Sequence, residues 1–300
     1  METRIEHLHA LELPTPFPVG PITVFLADAP GEPLTLVDTG PLTPKTMAAL
    51  EAALARHGLA PRHLERILLT HGHVDHVGLA ADLAAASGAQ VVSHPWNVPA
   101  LEGDAGEREG RVAFYARILR LAGLDWQVLH TPGHAGGLIC LYEAAGRTLL
   151  SSDHLLAGIS SNPVVEPPPP GRDERLLSLA VYRASLQRVA AMDVARALPS
   201  HGPAIDDVPG LVARRLAFHR SRVADVVGAL RAGARTTWDV TQVLFPGRTP
   251  MDTFLAISEV IGHLDLLERE GRIAGDEEDE NGSDDAVLWR LVEPEISRAG

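Results

Sequence analysis

The sequence predicts an α+β protein, a layered domain over residues 1–209 followed by a small winged-helix-like unit over 210–300. Three observations carry this reading. Short apolar runs alternate with helical stretches through the first two hundred residues. Near Val208 the pattern changes to three helices and a strand, acidic hairpin, strand ending. The chain has 300 residues, 45% hydrophobic and 22% charged, enough for one large core or two ordinary ones.

ITVFLA (22–27) and LTLVDTG (34–40) read as strands. A helix follows over Leu42–Gly58, with Pro44 near its start, Met47, Leu50 and Leu54 on one face, and Gly58 as its stop. ERILLTHGH (65–73) is an apolar strand running into a loop, then comes a helix near Val77–Ser87 and the strand AQVVSH (89–94). A helix is expected around Arg108–Ala122, before the strands DWQVLHTPG, GLICLYEA and RTLLSSD. NPVVEPPPPGR (162–172) must be extended and helix-free; it is a rigid connection or a stiff wall beside a site. Asp173–Met192 is helical, and ARALPSHG forms a last strand and turn.

Beyond Pro209-Gly210 a long helix spans Leu211–Leu230, carrying Arg214, Arg215, Arg220 and Arg222, with Arg231 just after it, against the single acid Asp225. TTWDV offers Thr236 as N-cap with Asp239 three residues on, and a further helix near Asp252–Glu270 ends at Gly271. Strand, acidic hairpin and strand close the unit. That is the order of a winged helix.

The net charge is −13, but seven acids crowd between Asp276 and Asp285, and without them the rest would carry only −6. This argues against a general electrostatic grip on nucleic acid. The single Cys140 excludes an internal disulfide and a thiolate-rich metal cage. No apolar run approaches a membrane span, and the N-terminus lacks a basic start and apolar stretch, so a cytoplasmic protein is expected.

The chemistry concentrates in His71-Gly-His73-Val-Asp75-His76, four metal-capable side chains in six positions where a strand meets a helix. At this histidine frequency a chance HxHxDH is expected in roughly one such chain in several hundred. His71 and His73 project to one side of an extended segment, while Asp75 and His76 diverge, so the motif can serve two neighbouring ions. Imidazole and carboxylate suit zinc first, with iron or manganese as alternatives. His134 in TPGHAGG, Asp153 in SSDHLL and His201 in PSHGP stand at further strand ends, where a scaffold can deliver side chains to one point.

This order of residues resembles the metallo-β-lactamase fold superfamily of metal-dependent hydrolases, over about residues 20–205. The resemblance implies a four-layer αββα sandwich with the site along one edge. It implies His71, His73 and His134 on a first metal, Asp75, His76 and His201 on a second, Asp153 bridging them, and Asp38 of LVDTG supporting the site from behind. The set is similar to the glyoxalase-II-like branch, and the C-terminal unit is similar to the winged-helix tail of the LACTB2-like subgroup. One departure is Leu79, where the family usually has glycine.

The expected function is a binuclear hydrolase in which a metal-bound hydroxide attacks a small-molecule thioester, ester or lactone, with Asp75 as the catalytic residue orienting the nucleophile. Substrate-binding residues are not assigned. The only lysine, Lys45, leaves a strict glutathione-carboxylate site unsupported. The alternatives are a LACTB2-like endoribonuclease on single-stranded RNA, which the acidic wing disfavours, and an iron-dependent sulfur dioxygenase. No membrane partner is expected; the acidic wing could serve a homodimer.

Overall fold

The computed structural model describes residues 1–97, 112–113, 117–276 and 287–292. Its first sheet is built in chain order from β1 (Leu8–Leu13), β2 (Ile22–Ala27), β3 (Thr35–Val37), β4 (Arg66–Leu69), β5 (Gln90–Ser93) and β6 (Val112–Ala113). β1 to β3 pair antiparallel, whereas β3 to β6 run parallel. The second sheet has the order β11-β10-β9-β8-β7, from β7 (Ile118–Leu121), β8 (Leu124–His130), β9 (Ile139–Glu143), β10 (Thr148–Ser152) and β11 (Arg196–Pro199). Only its β10–β11 pair is parallel.

The apolar strands are uninterrupted because both of their faces are covered. In β4, Leu68 faces the other sheet while Ile67 and Leu69 face helices. In β9, Ile139 and Leu141 enter the space between the sheets, and Cys140 and Tyr142 turn outward. Phe25, Val37 and Leu68 of one sheet meet Trp126, Leu150 and Leu198 of the other. Outside the first sheet lie α1 (Pro44–Ala55) and α3 (Ala80–Ser87), which contribute Leu50, Leu54 and Leu83. Outside the second lie α4 (Ser178–Ala190) and the start of α5 (Val208–Arg231), with Leu179, Leu186 and Leu211. Helix, sheet, sheet, helix is the layer order the resemblance implied.

Two expectations need correction. The helix expected at Arg108–Ala122 lies partly outside the described residues, and its described end is strand β7. There Leu121 pairs with Leu124 across a two-residue turn, Ala122 and Gly123, in which both residues have positive φ. Such a turn matches the twist of a hairpin, but it normally announces itself as Asn-Gly or Asp-Gly. The helix near Val77–Ser87 is in fact two pieces, α2 (Val74–Val77) and α3, and α2 takes up the end of the histidine motif.

The C-terminal segment continues through α5, α6 (Thr237–Leu244) and α7 (Pro250–Arg269) to an antiparallel pair, β12 (Ile273–Asp276) and β13 (Leu288–Leu291). Thr236 caps α6 through the expected reciprocal bonds with Asp239. Val226, Val240, Val260, Leu264 and Ile273 form a core of their own. The acidic tip at 277–286 lies outside the described residues. No helix among the described residues is long and apolar enough to cross a membrane.

Candidate metal centre

The parallel pairs set the site. Because β3 and β4 run the same way, and β10 and β11 likewise, their C-terminal ends gather at one edge of the sandwich. Asp38 follows β3, Thr70 to His73 follow β4, Asp153 follows β10 and His201 follows β11, while β8 leads through Thr131 and Pro132 to His134. Hydrogen bonds tie the two sheets together there. Ile139 N–H donates to Thr70 O at 3.0 Å, and the hydroxyls of Thr70 and Ser152 lie 2.7 Å apart. Asp38 and Ser152 at this edge hold left-handed backbone conformations, φ 59 and 47°.

All seven residues singled out in the sequence converge. The ligand atoms of His71, His73 and His134 form one group within 4.8 Å of one another, and those of Asp75, His76 and His201 form another. His71 Nε2 lies 3.1 Å from His73 Nδ1. His201 Nε2 lies 3.3 Å from Asp75 Oδ2. Asp153 stands between the groups: its Oδ2 is 3.4 Å from His134 Nε2, 3.5 Å from His76 Nε2 and 3.8 Å from His201 Nε2.

The outward nitrogens fix the direction of the inward ones. His76 Nδ1–H donates to Asp38 Oδ2 (2.8 Å), His134 Nδ1–H to the Asn162 carbonyl (2.8 Å), and His201 Nδ1–H to the Pro21 carbonyl (2.9 Å). Thr70 Oγ1, which donates to Asp38, sits 3.2 Å from His71 Nδ1, and Glu166 Oε1 lies 3.7 Å from His73 Nε2. With the proton held outside, the inner nitrogen presents its lone pair to the centre. His76 Nε2, His134 Nε2, His201 Nε2 and Asp153 Oδ1 are all buried without a hydrogen-bond partner. Several such orphans facing one another are costly unless something binds them. Three imidazoles in one group, and two with a carboxylate in the other, fit divalent cations of the zinc, iron or manganese class.

Electrostatics agrees with that fit. Burial lowers His71, and the imidazoles of His76, His73 and His134 lower it further. Burial also depresses His134, to about 4. Burial would lower His76 too, but Asp38, Asp153 and Asp75 outweigh it and raise this one ring. Burial would raise Asp75, yet His76 and His201 hold it at about 2. Asp153 likewise lies below the ordinary carboxylate range, because His76 above all overcomes its burial. Asp75 and Asp153 stay ionised and His71 and His134 resist protonation, while His76 and His201, beside the carboxylates, are raised; the carboxylates supply the negative field that favours cations.

Some features have no counterpart in the sequence reading. Glu166 is there only one residue of NPVVEPPPP; in the structure it accepts from Gly136 N–H (2.6 Å) and flanks His73. A lone acid among prolines is the available signal. Pro167–Pro170 act as the wall: with Glu166, Trp96, Asn97, Gly72, Gly136 and Gly137 they line a cleft of about 200 Å³. Arg172 lies over Trp96 at 5.4 Å. His154 is fully buried and packs edge-on to Tyr182, as a structural residue would. His130 donates to Gly136 O (2.8 Å) and stacks on His94. Leu79, the departure from the family pattern, is buried, and its N–H donates to Thr39 Oγ1 (3.2 Å).

A two-sheet sandwich that gathers histidines and aspartates at one edge defines the class of metal-dependent hydrolases. The family profile described as Metallo-beta-lactamase superfamily matches residues 17–201, and the chain belongs to that superfamily. It is 32% identical to the probable metallo-hydrolase YqjP of Bacillus subtilis, over 89% of this chain and 94% of that one. It is also similar to the crystal structure of a metallo-beta-lactamase family protein from Thermus thermophilus, at TM-score 0.77 and 26% identity, covering 95% of this chain and 99% of that one. A shorter likeness, 36% over 124 residues, is to a hydroxyacylglutathione hydrolase of Ectopseudomonas mendocina, covering 41% of this chain and 42% of that one.

Proposed function

We propose that the protein is a binuclear metal hydrolase of small-molecule thioesters, esters or lactones. The carrying observation is the facing set of unpartnered inner nitrogens at His76, His134 and His201 around Asp153. In this reading His71, His73 and His134 hold one cation, Asp75, His76 and His201 the other, and Asp153 both. Zinc is the first choice, with iron or manganese as alternatives. Divalent cations held by these residues would supply Lewis acidity toward an acyl carbonyl and would lower the pKa of water toward neutrality.

The chain's own residues do the rest. Asp75 remains ionised across the working pH range, with Oδ2 turned to His201, so it can accept a hydrogen bond from the attacking water and fix its direction. The cleft of Trp96 and Pro167–Pro170 offers an apolar face to the acyl group, and the bare backbone of Gly72, Gly136 and Gly137 lets a substrate come close. Likeness to a hydroxyacylglutathione hydrolase supports acyl chemistry.

We read α5, α6, α7 and the β12–β13 pair, from about residue 210, as a winged-helix unit of LACTB2-like kind. Three of its arginines do not favour the RNA reading. Arg215 donates to the carbonyls of Leu156 and Ile159, Arg222 to Glu259, and Arg214 to Asp207, so these cations are engaged within the molecule.

The test pairs metal analysis with a substrate panel. Two metals per chain at the sandwich edge, with turnover of thioesters or lactones abolished by chelation, is the expected result. Cleavage of single-stranded RNA alone, or one iron with oxygen uptake, would replace this reading. Asp75→Ala is expected to lower turnover by roughly 100-fold or more while the thermal midpoint stays near that of the parent. Undiminished turnover would remove Asp75 from the reaction.

A further inference from the structure

A second gathering of imidazoles stands apart from the seven residues at the sandwich edge. His9 lies on β1, Asp28 just beyond β2, and His57 just beyond α1. His9 Nε2 is 3.0 Å from Asp28 Oδ2, and the rings of His9 and His57 have centroids 4.4 Å apart. One ligand atom from each of the three lies within 4.8 Å of the other two.

The carboxylate is held from behind. His7 Nδ1 reaches its other oxygen, Asp28 Oδ1, at 3.3 Å, and the His7 carbonyl accepts from Asp28 N–H at 3.1 Å. His7 makes both contacts from a left-handed backbone, φ 62°, a conformation that costs energy for a residue with a side chain. The carboxylate is thus held between His7 and His9, with a ligand atom of His57 within 4.8 Å of those of His9 and Asp28.

We propose that His9, Asp28 and His57 form a peripheral site for a divalent transition-metal ion, zinc in the first instance. Two imidazole nitrogens and one carboxylate oxygen leave a fourth tetrahedral position to water, and the nitrogen content excludes magnesium and calcium as preferred occupants. His57 is exposed, so an ion can enter directly from solvent. Arg56 is the opposing charge, but its guanidinium turns back along the helix to the Ala52 carbonyl.

The role is structural. β2 starts next to Pro21, whose carbonyl accepts from His201, and its six residues carry the chain roughly 20 Å before Asp28. α1 starts near the turn bonded to His76 and carries the chain roughly 18 Å over its twelve residues before His57. Both rulers put the cluster at the far end of the sandwich from the catalytic edge. An ion there would clip the β1–β2 hairpin to the end of α1.

Zinc uptake by the full-length protein, measured by equilibrium dialysis with elemental analysis, decides the matter. The parent is expected to bind one more equivalent than His57→Ala or His9→Asn, with hydrolytic turnover unchanged in both. His71→Asn combined with His134→Asn should retain the peripheral equivalent, so this site is read separately from the catalytic pair. Zinc should raise the thermal midpoint of that double variant, and adding His57→Ala should abolish the rise. Equal zinc content in the parent and both peripheral variants would overturn the proposal, as would an extra equivalent that disappears with the catalytic ligands.

Discussion

At the scale of single residues, the centre is organised by what stands behind its imidazoles. Asp38 is the clearest case: one carboxylate accepts from the Thr70 backbone, the Thr70 hydroxyl and the His76 ring, all in a buried setting. Asp38→Ala leaves His76 Nδ1 and Thr70 N–H without that acceptor, and metal affinity is expected to fall by about 10- to 100-fold. Competition against a chelator of known strength measures this, and an affinity equal to the parent's would show that Asp38 does not orient His76. Cys140 is the opposite kind of residue. Burial raises its thiol to about 12, only partly offset by the Thr131 hydroxyl at 3.2 Å. Native protein should therefore resist alkylation at mildly alkaline pH and react fully once unfolded in urea. Rapid labelling of the folded chain would contradict that burial.

At the scale of elements, glycine positions connect backbone geometry to the site. Gly133, just before His134, has φ 140°, and a Cβ there would lie 2.2 Å from Tyr182 Cβ and 2.4 Å from its Cα. Those atoms belong to α4 and cannot give way as a flexible chain end can. Gly133→Ala is expected to push the His134 loop off α4 and to lower the purified metal content below that of the parent; an unchanged content would mean the loop tolerates the shift. Most elements were legible: ITVFLA and RILL are short apolar runs of strand length, and the long α5 stretch has the length of a helix rather than a strand. The strand β7 was not. Its Ile118, Leu119 and Leu121 fit either period, and pairing with β8 decides between them, an interaction that no local pattern encodes.

At the scale of the whole molecule, α5 joins two cores. Leu211 and Val212 pack with α4 under the second sheet, whereas Val226 and Leu230 pack with α7 beyond it. A paired charge reinforces the junction. Arg175, ahead of α4, donates through both amino groups to Asp265 of α7, at 2.7 and 2.8 Å, and the Asp265 side chain is only 7% exposed. Arg175→Ala strands that carboxylate, and because the arginine itself is partly solvated the expected loss is about 2 kcal/mol. Urea unfolding followed by far-UV circular dichroism reads it. A midpoint matching the parent's would place the junction's strength in the apolar contacts alone.

By itself the amino-acid order determined the layered class and placed candidate ligands at strand ends and turns. The HxHxDH spacing allows two neighbouring ions, whereas the full ligand set and its division between two metals were what the resemblance implied. What the tertiary structure alone decided was how those ligands are aimed. The acceptors behind His134 and His201 are the carbonyls of Asn162 and Pro21, groups that every residue possesses and no motif marks. Glu166 beside His73, the proline-walled cleft and the His9, Asp28, His57 cluster belong to the same class of finding. Each depends on segments distant in the chain meeting in space, and their meeting is fixed by packing between layers rather than by any local pattern of residues.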